Sequence, residues 1–165
     1  MWKLFVTVVP HVDDIDEFFE NAQKEFECGF GIAYAIVDKK SKKIVGSTRF
    51  RSTDFGHKKS EIGFTFLAKS WQKSYVNTEA KLLLLSFAFE EMAFNRVELI
   101  TDFLNHSSRN AILRLGAKQE GVLRNHVVMP NGRVRDSVVF SIIANEWTGV
   151  KEHLLFKLQT MKNNL

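Results

Sequence analysis

The order in which helical and strand-like segments alternate constrains the fold of this chain more than any other feature of its sequence. Apolar residues recur at helical spacing in four segments, over residues 14–27, 77–93, 107–115 and 146–161. Runs rich in aromatic and β-branched residues predict six strands, over residues 30–38, 44–55, 60–67, 96–103, 117–129 and 134–143. The segment Pro130-Asn131-Gly132-Arg133 predicts a tight hairpin, because Asn and Gly tolerate the positive φ angles of the favoured turn. The sequence therefore predicts an α/β (α+β) protein with a mixed, largely antiparallel central sheet and flanking helices.

Length and composition favour one domain over residues 1–165. The chain is 45% hydrophobic and 25% charged, which is close to the average of soluble proteins and excludes disordered and fibrous classes. No apolar run approaches the roughly 18 residues that a membrane helix needs. The apolar stretch near Met1 is too short for a signal peptide. We therefore expect a cytoplasmic protein with no membrane partner.

The cysteine, histidine and charge content narrows the set of partners. Cys28 is the single cysteine and cannot form an intramolecular disulfide, and the histidines lack metal-ligand spacing, so no metal is expected. A net charge of +4 favours anionic partners. It does not come with the basic and aromatic pattern typical of nucleic-acid binding, so no nucleic acid is expected. Five arginines could line a groove for an anionic substrate or simply be solvated: Arg49, Arg51, Arg124, Arg133 and Arg135.

The loop that leads into the predicted helix 77–93 is a candidate anion site. A helix N-terminus presents unpaired N–H groups and a partial positive charge. Asn77 is predicted to cap the helix, and Glu79 in the first turn suits the helix dipole. Glu79, Ser86 and Glu90 form a polar stripe on this helix, and Lys81 lies on the opposite, apolar side. It could therefore bind a phosphate at the helix start, or extend along its neighbours to water.

Two adjoining segments resemble the acetyl-CoA motif of the GNAT superfamily of N-acetyltransferases. They are Glu61-Ile62-Gly63-Phe64-Thr65-Phe66-Leu67 and Trp71-Gln72-Lys73-Ser74-Tyr75-Val76-Asn77-Thr78-Glu79-Ala80-Lys81. Further along the chain, several segments resemble the Rim-type branch, the ribosomal-protein acetyltransferases. They are Asn95-Arg96-Val97-Glu98-Leu99, Asp102, Asn105, Ser108-Arg109, Leu115-Gly116-Ala117, Glu120-Gly121-Val122-Leu123-Arg124, Gly132-Arg133-Val134-Arg135-Asp136-Ser137 and Glu146-Trp147. The resemblance covers roughly residues 30–150. It implies a GNAT fold and direct transfer of an acetyl group from acetyl-CoA to an amine, without a covalent enzyme intermediate.

The sequence departs from the family pattern in two places. The phosphate loop of the superfamily usually reads Gln/Arg-x-x-Gly-x-Gly/Ala, whereas this chain has Gln72-x-x-Tyr75-x-Asn77, which we interpret as a variant loop of a Rim-type subset. The first strand and much of a helix are missing before the region that matches residues 2–10. Either the chain starts late, or residues 1–9 or a partner chain replace that strand. Because an exposed sheet edge recruits partners, we expect a homodimer.

The resemblance also implies where the cofactor lies, in a gap where two neighbouring strands splay apart. The backbone of Phe66, Leu67 and Ala68 would pair with the pantetheine arm, and Asn105 would contact it from the second strand. The pyrophosphate loop and the helix after it would supply Gln72, Lys73, Ser74, Tyr75, Val76, Asn77, Thr78 and Lys81.

Two residues are candidates for the chemistry. Glu61 could take a proton from the acceptor amine through water, or it could be an ordinary strand carboxylate. Ser108 could donate a hydrogen bond to the leaving thiolate, or it could simply lie in the first turn of a helix capped by Asn105.

These features predict an N-acetyltransferase with an amine acceptor, a protein N-terminal α-amine first and a small amine metabolite second. The alternative is a degenerate GNAT domain that binds CoA or a protein partner without catalysis.

Overall fold

A computed structural model describes Leu4 and residues 15–163 of the chain. The helices are α1 (Ile15–Glu27), α2 (Val76–Ser86), α3 (His106–Leu113) and α4 (Trp147–Asn163). The strands are β1 (Ile32–Val37), β2 (Ile44–Asp54), β3 (Lys59–Leu67), β4 (Arg96–Asp102), β5 (Lys118–Val128) and β6 (Val134–Ile143). The predicted α/β fold with a largely antiparallel sheet is confirmed.

The strands form one sheet in the order β1-β2-β3-β4-β6-β5 among the described residues. Every neighbouring pair is antiparallel except β3 and β4, which run parallel. A parallel pair needs a crossover connection, and α2 provides it. The main core lies where the helices cover the sheet, and Leu85, Val97, Phe140 and Leu154 are fully buried there.

Strands β3 and β4 stay together over a short stretch only. Their pairing runs from Lys59 to Glu61 on β3 and from Arg96 to Glu98 on β4, within the described residues. Beyond Glu61, β3 contains a bulge against β2, and Phe64 has a φ of 48°. β4 instead pairs along its full length with β6. A gap therefore opens between the two strands after Glu61, which is the splay that the resemblance implies.

The helix predicted over residues 77–93 has different bounds in the structure. It begins at Val76, with Tyr75 at the cap position, so the prediction that Asn77 caps the helix is wrong. The Ser74 hydroxyl accepts the N–H of Val76 at 3.3 Å, which lets the chain enter the helix before Asn77. After Ser86 the path continues as a π-helical turn, Phe87–Glu91. Ala93 then adopts a φ of 50°, a value that no right-handed helix continues through.

The hairpin at residues 130–133 is present with a different turn. Of Asn131 and Gly132, only Gly132 has a positive φ, at 80°. The N–H of Met129 bonds the Arg133 carbonyl at 2.8 Å, which encloses three residues. This arrangement matches a turn with glycine in the left-handed position rather than the tighter two-residue turn.

The expectations for residues 1–9 lie outside the described residues, apart from Leu4. Strand β1 forms one edge of the described sheet. No helix in the described ranges is long and apolar enough to cross a membrane.

Candidate active site

A cavity of about 350 Å³ lies where β3 and β4 separate. Its charged and polar lining comes from five strands and from the residue that precedes α3: Arg51, Glu61, Thr101, Asp102, Asn105, His126 and Arg135. The structure therefore brings together Glu61 and Asn105, two of the residues that the sequence singled out. Ser108, the second catalytic candidate, does not line this cavity.

Glu61 is the last residue of β3 that pairs with β4, and its side chain is only 12% exposed. Burial raises the pKa of the Glu61 carboxyl, and the neighbouring Glu98 raises it further. Arg51 and Arg135 oppose that shift, with an Arg51 nitrogen 4.0 Å from the carboxylate. A buried carboxylate with a raised pKa holds a proton more tightly than an exposed one, which suits a general base.

Asn105 caps α3, as predicted by the alternative interpretation of Ser108 as a residue of the first helical turn. Its side-chain oxygen accepts the N–H of Ser108 at 3.1 Å. This bond places Ser108 in the first turn of α3. Asp102, one turn earlier, is 1% exposed and receives hydrogen bonds from the N–H of Leu104 and from Arg133. These contacts hold the start of α3 against the end of β4.

The loop between β3 and α2 is folded by its own hydrogen bonds. The Gln72 side chain donates to the Leu67 carbonyl at 3.0 Å, and the Ser74 hydroxyl donates to the Trp71 carbonyl at 2.7 Å. Lys73 has a φ of 59°. The loop thus carries the chain from the end of β3 directly into the N-terminus of α2, which places Asn77 and Thr78 in the first helical turn.

Tyr75 packs against an apolar cluster formed by Val45, Leu67 and Val76. The ring is also covered by Lys162, whose ammonium lies 5.2 Å from the ring centre. The aromatic side chain that replaces a small residue of the usual loop is thereby accommodated between the sheet and α4.

Phe66, Leu67 and Ala68 lie at the end of β3. Phe66 and Leu67 pair with β2, and the Ala68 N–H donates to the Val45 carbonyl at 2.8 Å. Because β4 has diverged at this level, the other edge of β3 faces the gap.

Lys81 is 4% exposed and points into the sheet rather than to water. Its ammonium nitrogen donates to the Thr48 hydroxyl at 3.0 Å and to the Thr65 hydroxyl at 2.5 Å. Burial lowers the pKa of Lys81 to about 7. The interpretation that Lys81 extends to water is wrong, because its position on α2 faces β2 and the bulged part of β3. A phosphate contact by Lys81 stays a prediction.

Sequence reasoning missed several residues of this region. Asp102 entered only as part of the resemblance to the Rim-type branch, with no role assigned, and His126 carried no signal beyond a polar residue in a predicted strand. Arg51 and Arg135 were noted as arginines that could line a groove or be solvated, and the structure places both at the cavity. Among the described residues, no group of three or more His, Cys, Asp or Glu side chains could hold a metal ion.

The fold and the gap beside β3 define an acyltransferase-like architecture, and comparisons with known proteins identify the family. Residues 1–118 match the model of the acetyltransferase (GNAT) domain. This chain belongs to the GNAT family of acetyltransferases.

Individual relatives agree with that assignment. The chain is 32% identical over 108 residues to YdaF of Bacillus subtilis, a protein named as a ribosomal N-acetyltransferase, covering 66% of this chain and 58% of YdaF. An acetyltransferase structure from T. thermophilus is 34% identical with a TM-score of 0.85, over 95% of this chain and 81% of that one. A GCN5-related N-acetyltransferase from Brucella melitensis is 26% identical with a TM-score of 0.86, over 95% and 70%. The chain spans 58% to 64% of the length of the first three curated relatives that it matches.

Proposed function

We propose that this protein is a Rim-type N-acetyltransferase that transfers the acetyl group of acetyl-CoA to an amine. The acceptor that we expect first is the α-amine of a protein N-terminus, and the second is a small amine metabolite. The proposal includes a cytoplasmic location. The observation that carries it is the position of Glu61, a buried carboxylate at the point where β3 and β4 separate.

The residues present fit acetyl-CoA. Past Glu61, where the pairing of β3 with β4 ends, the edge of β3 faces the gap, and an extended pantetheine arm can pair with its backbone as an added strand pairs with a sheet. The N-terminus of α2 offers N–H groups to a pyrophosphate. Tyr75 is the cap residue of α2, and its ring packs on the apolar cluster. Asn105 lies across the gap from β3, at the end of β4.

The chain's own residues supply the proton chemistry. Acetyl-CoA, when bound, supplies the acetyl group as an activated thioester. Glu61 accepts the proton of the acceptor's ammonium group, directly or through water, and so releases the nitrogen lone pair for attack. Ser108 stays the proposed donor of a hydrogen bond to the leaving thiolate, on the α3 side of the gap.

Acetyl-CoA is expected to raise the melting temperature of the protein. Ligand that binds only the folded state adds about 2.7 kcal/mol of stability at a hundredfold excess over its dissociation constant. Differential scanning fluorimetry measures the shift, with ATP as the control, since ATP has phosphates but no pantetheine arm. The absence of any shift at millimolar acetyl-CoA would remove the cofactor proposal and the proposed function with it. A shift without turnover on any amine would favour the non-catalytic alternative.

We also propose that two copies of the chain associate through the β1 side of the sheet. An open groove of about 870 Å³ lies between α1 and β1, and its apolar lining includes Phe19, Phe26 and Ile44. These side chains are 62%, 54% and 71% exposed within the described part of the chain. Contiguous exposed apolar surface of this kind marks association sites.

Light scattering at micromolar concentration is expected to give about 38 kDa, twice the chain mass of 19.0 kDa. The variant Ile44→Lys places a charge on the exposed face and should shift the mass to that of the monomer. Val128→Lys, a change at a comparably exposed position of β5, is the matched control and should leave the dimer intact. A wild-type monomer at this concentration contradicts the proposal.

A further inference from the structure

Two arginine side chains line the same cavity as Glu61, and each has a hydrogen-bond donor without an acceptor among the described residues. Arg135 on β6 is 5% exposed, and the side chain of Arg51 on β2 is 29% exposed. The Nε atom of each is buried and makes no hydrogen bond within the described residues. Buried guanidinium N–H groups normally have acceptors, so two arginines with unsatisfied Nε atoms at the lining of one cavity have capacity to bind an anion.

The carboxylates near these arginines do not supply it. Asp102 already receives hydrogen bonds from Arg133 and from the N–H of Leu104. Glu61 stands 4.0 Å from the nearest Arg51 nitrogen, which is beyond hydrogen-bond distance. The second carboxylate near Arg51 is Glu25, at 3.7 Å.

The balance of charge at the cavity also favours an anionic group on the ligand. Two arginines, Arg51 and Arg135, and two carboxylates, Glu61 and Asp102, line the cavity, and Asp102 is already paired with Arg133. An acceptor enters the cavity as an ammonium ion, and the guanidinium groups of Arg51 and Arg135 repel a ligand that carries only that charge. An acceptor with its own carboxylate removes that repulsion.

We propose that the acceptor is an amine whose molecule also carries a carboxylate, and that Arg135 and Arg51 bind this carboxylate while Glu61 receives the proton of the amine. The proposal rests on the proposed acetyltransferase function and names its substrate class. Arginine suits this role because its planar fork matches a carboxylate in two hydrogen bonds. A singly charged carboxylate fits better than a phosphate dianion, because Glu61 and Asp102 lie at the same cavity and repel the larger negative charge.

The carboxylate can come from two sources, and matched acceptor pairs distinguish them. A free amino acid carries it on the α-carbon, so glycine is compared with glycinamide. A peptide N-terminus carries it on an acidic first side chain, so a peptide that begins with Glu is compared with the same peptide beginning with Gln. We expect the carboxylate member of at least one pair to have a kcat/KM higher by about tenfold or more, as for hydrogen bonds to a charged group. Whichever pair shows the preference identifies the source.

The variants Arg135→Gln and Arg51→Gln are expected to abolish this preference, mainly by raising KM for the carboxylate acceptor, with KM for acetyl-CoA unchanged. Arg135→Lys should restore part of it, because it keeps the charge without the fork. Arg124→Gln is the matched control, since Arg124 is an exposed strand arginine, and it should retain the full preference. Since Arg135 is buried, Arg51→Gln keeps the experiment informative if Arg135→Gln does not fold.

Titration calorimetry gives a second measurement that does not depend on turnover. N-acetylglycine should bind the wild type more tightly than N-acetylglycinamide if the α-carboxylate is the source. The N-acetylated peptide that begins with Glu should bind more tightly than the one that begins with Gln if the side chain is the source. In either case Arg51→Gln should remove the difference. Equal kcat/KM within both acceptor pairs, together with equal binding within both acetylated pairs, overturns the proposal and leaves the acetyltransferase function standing. Absence of turnover with carboxylate-dependent binding supports the carboxylate site and counts against catalysis.

Discussion

Replacement of Glu61 by glutamine is expected to lower turnover by roughly 10²–10⁴-fold, the contribution of a positioned general base. Glutamine keeps the size and polarity of the side chain but cannot accept the proton. Acetyl-CoA affinity should stay close to that of the wild type, because the edge of β3 and the start of α2 are untouched. Steady-state kinetics with a saturating amine and a calorimetric titration of acetyl-CoA measure the two quantities. Wild-type turnover in Glu61→Gln would show that Glu61 is an ordinary strand carboxylate.

The pH profile gives an independent check on Glu61. The base form exists above its pKa, so turnover falls as pH drops through that value, and burial moves this acidic limb upward from the usual range of a glutamate. Glu61→Gln should lose the limb. Glu98→Gln is the matched control: Glu98 pairs with Glu61 across the parallel strands and raises its pKa. This variant should keep turnover and move the acidic limb to lower pH.

Replacement of Lys81 by methionine is expected to change how stability depends on pH. The pKa of Lys81 is about 7 in the folded protein, against 10.5 for an ordinary lysine. Between these values the unfolded chain binds a proton that the folded chain does not, so the contribution of Lys81 to the free energy of unfolding rises with pH. The free energy of unfolding of the wild type should therefore rise relative to that of Lys81→Met by about 1 kcal/mol per pH unit across this window. Below pH 7 the penalty for burying Lys81 is fully present, and the variant has its largest advantage.

Urea unfolding of both proteins at several pH values from 6 to 10 measures this difference. The Thr48 and Thr65 hydroxyls stay satisfied in the variant, because they lie 2.8 Å apart and bond each other. Lys162→Met is the matched control on the surface of α4, where the lysine is 48% exposed, and it should show no such slope. A pH-independent difference between wild type and Lys81→Met would mean that Lys81 is not buried as the structure has it.

The parts of the fold that the sequence predicted are those determined by local pattern. The last strand, residues 134–143, has the predicted bounds, because the glycine turn fixes its start and the run of β-branched and aromatic residues ends at Ile143. Asn105 was interpreted correctly as a cap, because capping needs only the three residues that follow it. The start of α2 was misplaced because Asn77 is a strong capping residue and was chosen over Ser74. In the structure the Ser74 hydroxyl stabilises the turn that precedes Asn77.

The site was predictable only where it rests on a motif. Glu61 and the loop 72–77 follow from the family pattern, whereas the partners of Lys81 depend on how α2 packs across two strands. The burial of Arg135 depends on the neighbours of β6 in the sheet, β4 and β5, which no local pattern specifies. Tertiary contacts of this kind override the tendency of strand arginines and helix lysines to reach water.

The short pairing between β3 and β4 divides the sheet into two half-sheets, each built from one continuous stretch of chain, residues 32–67 and residues 96–143. Within each half, neighbouring strands are hydrogen-bonded over most of their length, whereas the seam between the halves is held by residues 59–61 and 96–98. Sub-global opening of a protein follows the line with the fewest hydrogen bonds, so thermal fluctuation of this sheet is concentrated at the seam. A ligand can therefore enter the gap by a small rotation of one half-sheet against the other, with the core of each half left intact.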